Sequence, residues 1–170
     1  VREHAVRIAE RHAANSPQLS RALLGLAGDD DYRVRLQLAF SIGELPQPHR
    51  LKGLKTLARQ IGDDRDVRTA FLTSVAQSAD ALAVELLDDS KFVESPGAAN
   101  LLGELARIAG ARPDTDGAVS LLSAVSRDAA DWRMKQLLLR SLSAGLRQRG
   151  SSIQKLLAEH SVTVDPRDRV

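Results

Sequence analysis

The stretch DYRVRLQLAFSIGEL, residues 31–45, opens with an aspartate and then repeats its apolar positions on a helical period. Val34, Leu38, Ser41 and Ile42 fall on one stripe, spaced i, i+4, i+7, i+8, as an amphipathic helix requires. The aspartate before it is the residue type that caps a helix start, because its carboxylate accepts from the unpaired backbone amides of the first turn. Working outward, the Val-Arg pair at 34–35 recurs at 1–2 and at 67–68, a step of 34 − 1 = 67 − 34 = 33 residues. The same step leads to Leu101-Leu102 and Met134-Lys135, giving five starts at 1, 34, 67, 101 and 134.

The +4, +7 and +8 positions of those units are Ala5, Ile8, Ala9; Leu38, Ser41, Ile42; Phe71, Ser74, Val75; Leu105, Ile108, Ala109; and Leu138, Ser141, Leu142. Serine at +7 in three units fits a place where two helix backbones come close. Between these helices lies a second apolar set: Leu19, Leu23, Leu24, Leu26, Ala27; Leu51, Leu54, Leu57, Ala58, Ile61; Leu82, Ala83, Leu86, Leu87; Val119, Leu121, Leu122, Val125; and Ile153, Leu156, Leu157. Each unit therefore reads as helix, turn, helix, and internal periodicity of this length marks a repeat architecture. Ser16-Pro17 and Ser95-Pro96 read as a capping hydroxyl followed by proline at the first helical position. Residues 110–117 read as the loosest loop and 161–170 as a flexible tail after a single domain over 1–160.

Composition agrees. Hydrophobic residues make up 43% of the 170, but aromatics only 3%, so the core is aliphatic and favours helices over strands. Lys plus Arg is 24 against 22 Asp plus Glu, a balance that argues against nucleic acid as the default partner. The absence of cysteine excludes disulfides, thiolate metal sites, covalent haem attachment and cysteine nucleophiles within this stretch. No apolar run approaches the roughly 18 residues of a membrane span, so no membrane insertion is expected here.

The Asp-rich turn leading into Val-Arg at the head of a helix resembles the HEAT repeat, in the short form of bacterial HEAT repeats also seen near phycobilin lyases. The resemblance implies an all-α, right-handed α-solenoid of helix pairs, about four full repeats with a half-repeat at each end. Ankyrin repeats share the period but need a Thr-Pro-Leu-His turn, and tetratricopeptide repeats need Trp, Gly and Tyr at fixed places; both are absent. In such a stack Arg2, Arg35, Arg68 and Lys135, with Asp31, Asp64 and Asp131, form a structural ladder between neighbouring turns. Leu102 replaces the arginine in the fourth unit, where packing alone is expected. Taken together, VREHAVRIAE (1–10), DYRVRLQLAFSIGEL (31–45) and DVRTAFLTS (66–74) are similar to the HEAT segment of large proteins of planctomycete-type bacteria. Those are described as membrane-bound dehydrogenases or haem-binding proteins, with a β-propeller before the helices and a cytochrome c domain after them. The similarity covers most of residues 1–145 and brings no catalytic or haem residue, because no Cys-x-x-Cys-His occurs. It implies an exported connector. The start at Val1 and a helix without its mate at each end fit a segment of a longer chain.

The residues that invite chemistry each have a plainer reading. His4 and His12 are eight apart, whereas a helical metal pair wants i, i+4, so exposed histidines are expected, with His49 and His160 equally unremarkable. Asp131-Trp132-Arg133 suggests the cleft of a HEAT-like base-repair enzyme, yet Asp31-Tyr32-Arg33 occupies the same place and points to a packing role at the turn. Arg7, Arg11, Arg107, Arg112, Arg140, Arg147 and Arg149 read as a solvated face. The expectation is a non-catalytic scaffold or spacer with no cofactor and no metal, whose partners are protein or neighbouring domains. The alternative is a nucleic-acid-binding or DNA-repair HEAT protein.

Overall fold

The computed structural model describes residues 1–61, 64–127 and 131–160; the tail expected at 161–170 lies outside them. The described residues are all-helical, with eleven α-helices, one short 3-10 turn and no strand. They gather into two compact units, one over Val1–Ser78 and one from Ala79 onward.

The first unit holds α1 (Arg2–Ala13), α2 (Pro17–Gly25), α3 (Tyr32–Ser41), the 3-10 turn Ile42–Glu44, α4 (His49–Ile61) and α5 (Arg65–Ser74). Its helices form two rows: α1 packs on α3 and α3 on α5, while α2 packs on α4. Ser16 caps α2 as its sequence announces, accepting from the Leu19 amide with Pro17 in the first turn. The core is Val34, Leu38, Ile42, Leu45, Leu54, Leu57, Phe71 and Val75, all fully or almost fully buried. Serine marks the close contacts in the α1–α3–α5 row. Ser41 Oγ donates to Glu10 at 2.6 Å, and Ser74 Oγ donates to the Ala39 and Phe40 carbonyls at 2.6 and 2.8 Å. A Cβ at Gly43 would sit 2.6 Å from the Ser74 carbonyl oxygen, so this crossing needs glycine.

The stripe on α1 differs from the expected one. Ala5 and Ile8 are exposed, and Val6 and Ala13 are buried instead. The reason lies in the Val-Arg recurrence. Val34 and Val67 sit inside their helices and are buried, whereas Val1 occupies the cap position of α1 and is fully exposed. Val6, one residue past the position the 33-residue step gives for Leu38, is the side chain that α1 buries there.

The second unit holds α6 (Ala79–Leu87), α7 (Ser90–Val93), α8 (Ala98–Ala111), α9 (Asp116–Ser126), α10 (Trp132–Gln148) and α11 (Ile153–His160). Again there are two rows, α6–α9–α11 and α8–α10. The α8–α10 contact is the tightest: a Cβ at Gly145 would lie 2.1 Å from the Arg107 carbonyl oxygen, and one at Gly110 would lie 2.4 Å from that of Leu142.

Two local expectations are corrected here. Ser95 does not cap a helix; its hydroxyl donates to the Phe92 carbonyl at the end of α7, a helix the periodicity did not indicate. Ser95-Pro96-Gly97-Ala98 is a turn closed by the Ala98 amide on the Ser95 carbonyl, with Gly97 at φ 81. A Pro-Gly pair followed by a left-handed residue is the type II signature, and it places the helix start after the glycine. Nor is the 110–117 segment loose. Arg112 bridges Asp80 on α6 and Asp114, both at 2.8 Å, and Arg149 Nη1 donates to the Pro113 carbonyl at 2.9 Å.

Candidate functional site

The turns between helices carry the densest set of polar contacts. Asp31, Asp64 and Asp131 each take the N-cap position, of α3, α5 and α10 respectively. Asp31 accepts from the Arg33 amide, Asp64 from those of Asp66 and Val67, and Asp131 from that of Met134. Such caps satisfy amides that the helix itself leaves unpaired. Arg35 Nη1 donates to the backbone carbonyls of Asp29 and Asp30, at 2.7 and 3.1 Å, and so clamps the turn that leads into its own helix. Arg2 reaches along the row instead and pairs with Asp29 Oδ1 at 3.0 Å. That same oxygen accepts from the Asp31 amide at 2.9 Å.

Asp29 is thus the hub of this turn, tying the head of α1 to the head of α3. Sequence reasoning singled out Asp31 and passed over Asp29. The available signal was the run of three aspartates, of which only one can be the cap. Arg68 is half-buried, and the carbonyls matching those bound by Arg35 belong to residues 62 and 63, outside the described residues. Lys135 is buried, only 9% exposed, and is partnered. Leu102 is fully buried.

Tyr32, at the first position of α3, links forward to α5. Its phenol is held above the ordinary 10.0 by loss of hydration, then by the Asp64 and Asp66 carboxylates, with a hydrogen bond to Asp66; Arg35 opposes the shift. An acid whose folded pKa is raised stabilises the fold in full below its unfolded value, and that contribution fades as pH climbs through the folded value. Tyr32 is the only tyrosine of the chain, so phenolate absorbance reports it alone. The titration midpoint is expected above 10.0 and should move down in Asp66→Asn. A midpoint at or below the ordinary value would remove this link between turns.

Trp132 begins α10 as Tyr32 begins α3, but it is 50% exposed. His4 and His12 are exposed on α1. His160 packs at the end of α11, with Nδ1 3.1 Å from the Leu156 carbonyl and Nε2 3.1 Å from Thr115 Oγ1. A carbonyl only accepts, so Nδ1 carries the proton, and in the neutral ring Nε2 accepts from the threonine. Among the described residues no group of three or more His, Asp or Glu is placed to hold a metal ion. No described helix is long and apolar enough to cross a membrane.

What remains outside this framework is the exposed face of the α1–α3–α5 row and of the α8–α10 row. On α1 and α3 it carries Ile8, 66% exposed, and Phe40, 51% exposed. On α10 it carries Arg133, Arg140 and Arg147, all exposed. Compared with family models, with curated proteins and with solved structures, the chain matches none.

Proposed function

We propose that this chain is a non-catalytic HEAT-type scaffold or spacer, a right-handed solenoid of helix pairs that holds protein partners or neighbouring domains in place. The observation that supports this most is the fate of the turn residues. Asp29, Asp31, Tyr32 and Arg35, the cluster that most invites a chemical reading, cap helix ends, clamp the turn and link it to its neighbours. Groups committed to amides and carbonyls in this way serve the geometry of the turns. The resemblance of VREHAVRIAE, DYRVRLQLAFSIGEL and DVRTAFLTS, within most of residues 1–145, to the helical segment of exported dehydrogenase-like proteins makes a connector between an electron-transfer domain and its partner domain the specific form of this role.

The coding sequence on either side of the segment tests that form. A β-propeller upstream and a Cys-x-x-Cys-His haem motif downstream are expected. An uninterrupted reading frame encoding neither would overturn the connector. Stoichiometric metal or cofactor-like absorbance in the purified chain would overturn the non-catalytic reading.

A further inference from the structure

We propose that the open face of α10, flanked by α8, docks an acidic helix of a partner protein whose carboxylates recur every seven residues. This rests on the scaffold reading and adds the chemistry of what is bound. Arg133, Arg140 and Arg147 are each seven residues apart on one continuous helix. Seven residues turn a helix through about 700°, within about 20° of two full turns, and advance it about 10.5 Å. The three guanidinium groups therefore project from one face along a line about 21 Å long. All three are exposed, and no described carboxylate pairs with them; Arg147 Nη1 donates only to Ser143 Oγ, at 3.2 Å. Gln136 and Ser143 lie between them and are polar and half-buried. On α8, Arg107 stands 33 residues before Arg140, at the same register, and is already paired with Glu104 at 2.9 Å.

The line is a product of segregation, not of excess charge. Residues 79–160 contain ten Lys and Arg against eleven Asp and Glu. The acids lie mostly at turns and on the other helices: Asp80, Asp114 and Asp131 are committed to ion pairs or caps.

A planar guanidinium matches either a carboxylate or a phosphate. Spacing decides between them. A duplex presents about one charge per 1.7 Å of axis, both strands counted, so its phosphates are spaced far more closely than the three arginines. A helix with one acid per heptad laid along α10 meets them one for one, at the same about 10.5 Å interval.

The test uses the whole chain and a helical peptide three heptads long, with glutamate at one position of each heptad. A second peptide has the same composition with its glutamates placed side by side. Fluorescence anisotropy at low salt should show tighter binding of the first, weakening as salt rises. Arg140→Glu should weaken it about tenfold, like charges facing each other. Arg140→Gln should cause a smaller loss in the same direction. Lys155→Glu on α11, an equal change of net charge elsewhere, should leave affinity unchanged, with circular dichroism confirming that each variant is folded. Equal binding of the two peptides, equal effects of the two charge reversals, or no binding would overturn the docking face while leaving the scaffold reading in place. Tighter binding of a duplex of matching length would overturn both.

Discussion

Phe71→Ala is expected to lower the unfolding free energy by about 3–5 kcal/mol. Phe71 is the largest of the fully buried side chains, at 0% exposure, and it sits in the middle of α5 at the register of Leu38. Its neighbours in the first unit's core are aliphatic, and their positions are fixed by two rows of helices, so they can collapse only partly into the space left behind. The loss is then the transfer free energy of the ring plus the cost of the cavity. Against a total stability of about 5–15 kcal/mol, this is a large fraction. Phe40→Ala makes the same chemical change where the ring is half exposed, and it should move stability by about 0.5 kcal/mol or less. Urea unfolding followed by circular dichroism separates the two. Similar midpoints for both variants would mean that α5 does not bury its ring in a packed core.

Gly145→Ala should destabilise by about 3 kcal/mol, at the upper end of what overpacking costs. Two effects oppose each other here. Alanine is the better helix former by about 1 kcal/mol, and Gly145 lies inside α10. But the added Cβ would stand 2.1 Å from the Arg107 carbonyl oxygen and 2.8 Å from the Ala111 amide nitrogen. Both are backbone atoms of α8 and cannot swing aside, so the helices must separate along a contact that spans much of their length. Gly25→Ala reverses the sign, because nothing lies within 4 Å of its Cβ position at the end of α2. The fluorescence of Trp132, the only tryptophan and itself on α10, reports the first transition directly. A gain in stability at Gly145 would mean that propensity outweighs the crossing and that α8 and α10 stand further apart.

Helical content and the alternation of two helix types were legible from the apolar period, because each row buries the same offsets: Leu38 and Ile42, Phe71 and Val75, Leu138 and Leu142. The serine at +7 was legible as a close-contact marker for the same reason, since a small side chain recurring on a buried stripe leaves room for a neighbouring backbone. The register of α1 was not, because Val1-Arg2 copies the dipeptide without the aspartate that stands three residues before Val34, Val67 and Met134 and caps the helix there. The α7 helix escaped because one turn is too short to show a period. The role of Asp29 escaped because a capping rule picks the residue next to the helix and is blind to the one that joins two turns. The Gly110–Gly145 crossing depends on which helices meet, which no single segment states. The arginine line on α10 was visible only as scattered basic residues until the helix was known to run unbroken from Trp132 to Gln148.

The proposed function depends on equivalent helices of successive repeats standing side by side, with serine and glycine at the point of contact. The chain contains no cysteine, so one engineered pair tests this without interference. A Cβ at Gly103 lies 3.3 Å from Ser141 Oγ, which brings two sulfurs at these positions within the reach of a disulfide. In Gly103→Cys combined with Ser141→Cys, mild oxidation should consume both thiols within a monomer and leave the circular dichroism spectrum unchanged. Free thiols after oxidation of the folded chain, or a bond formed only between molecules, would contradict the side-by-side arrangement of α8 and α10.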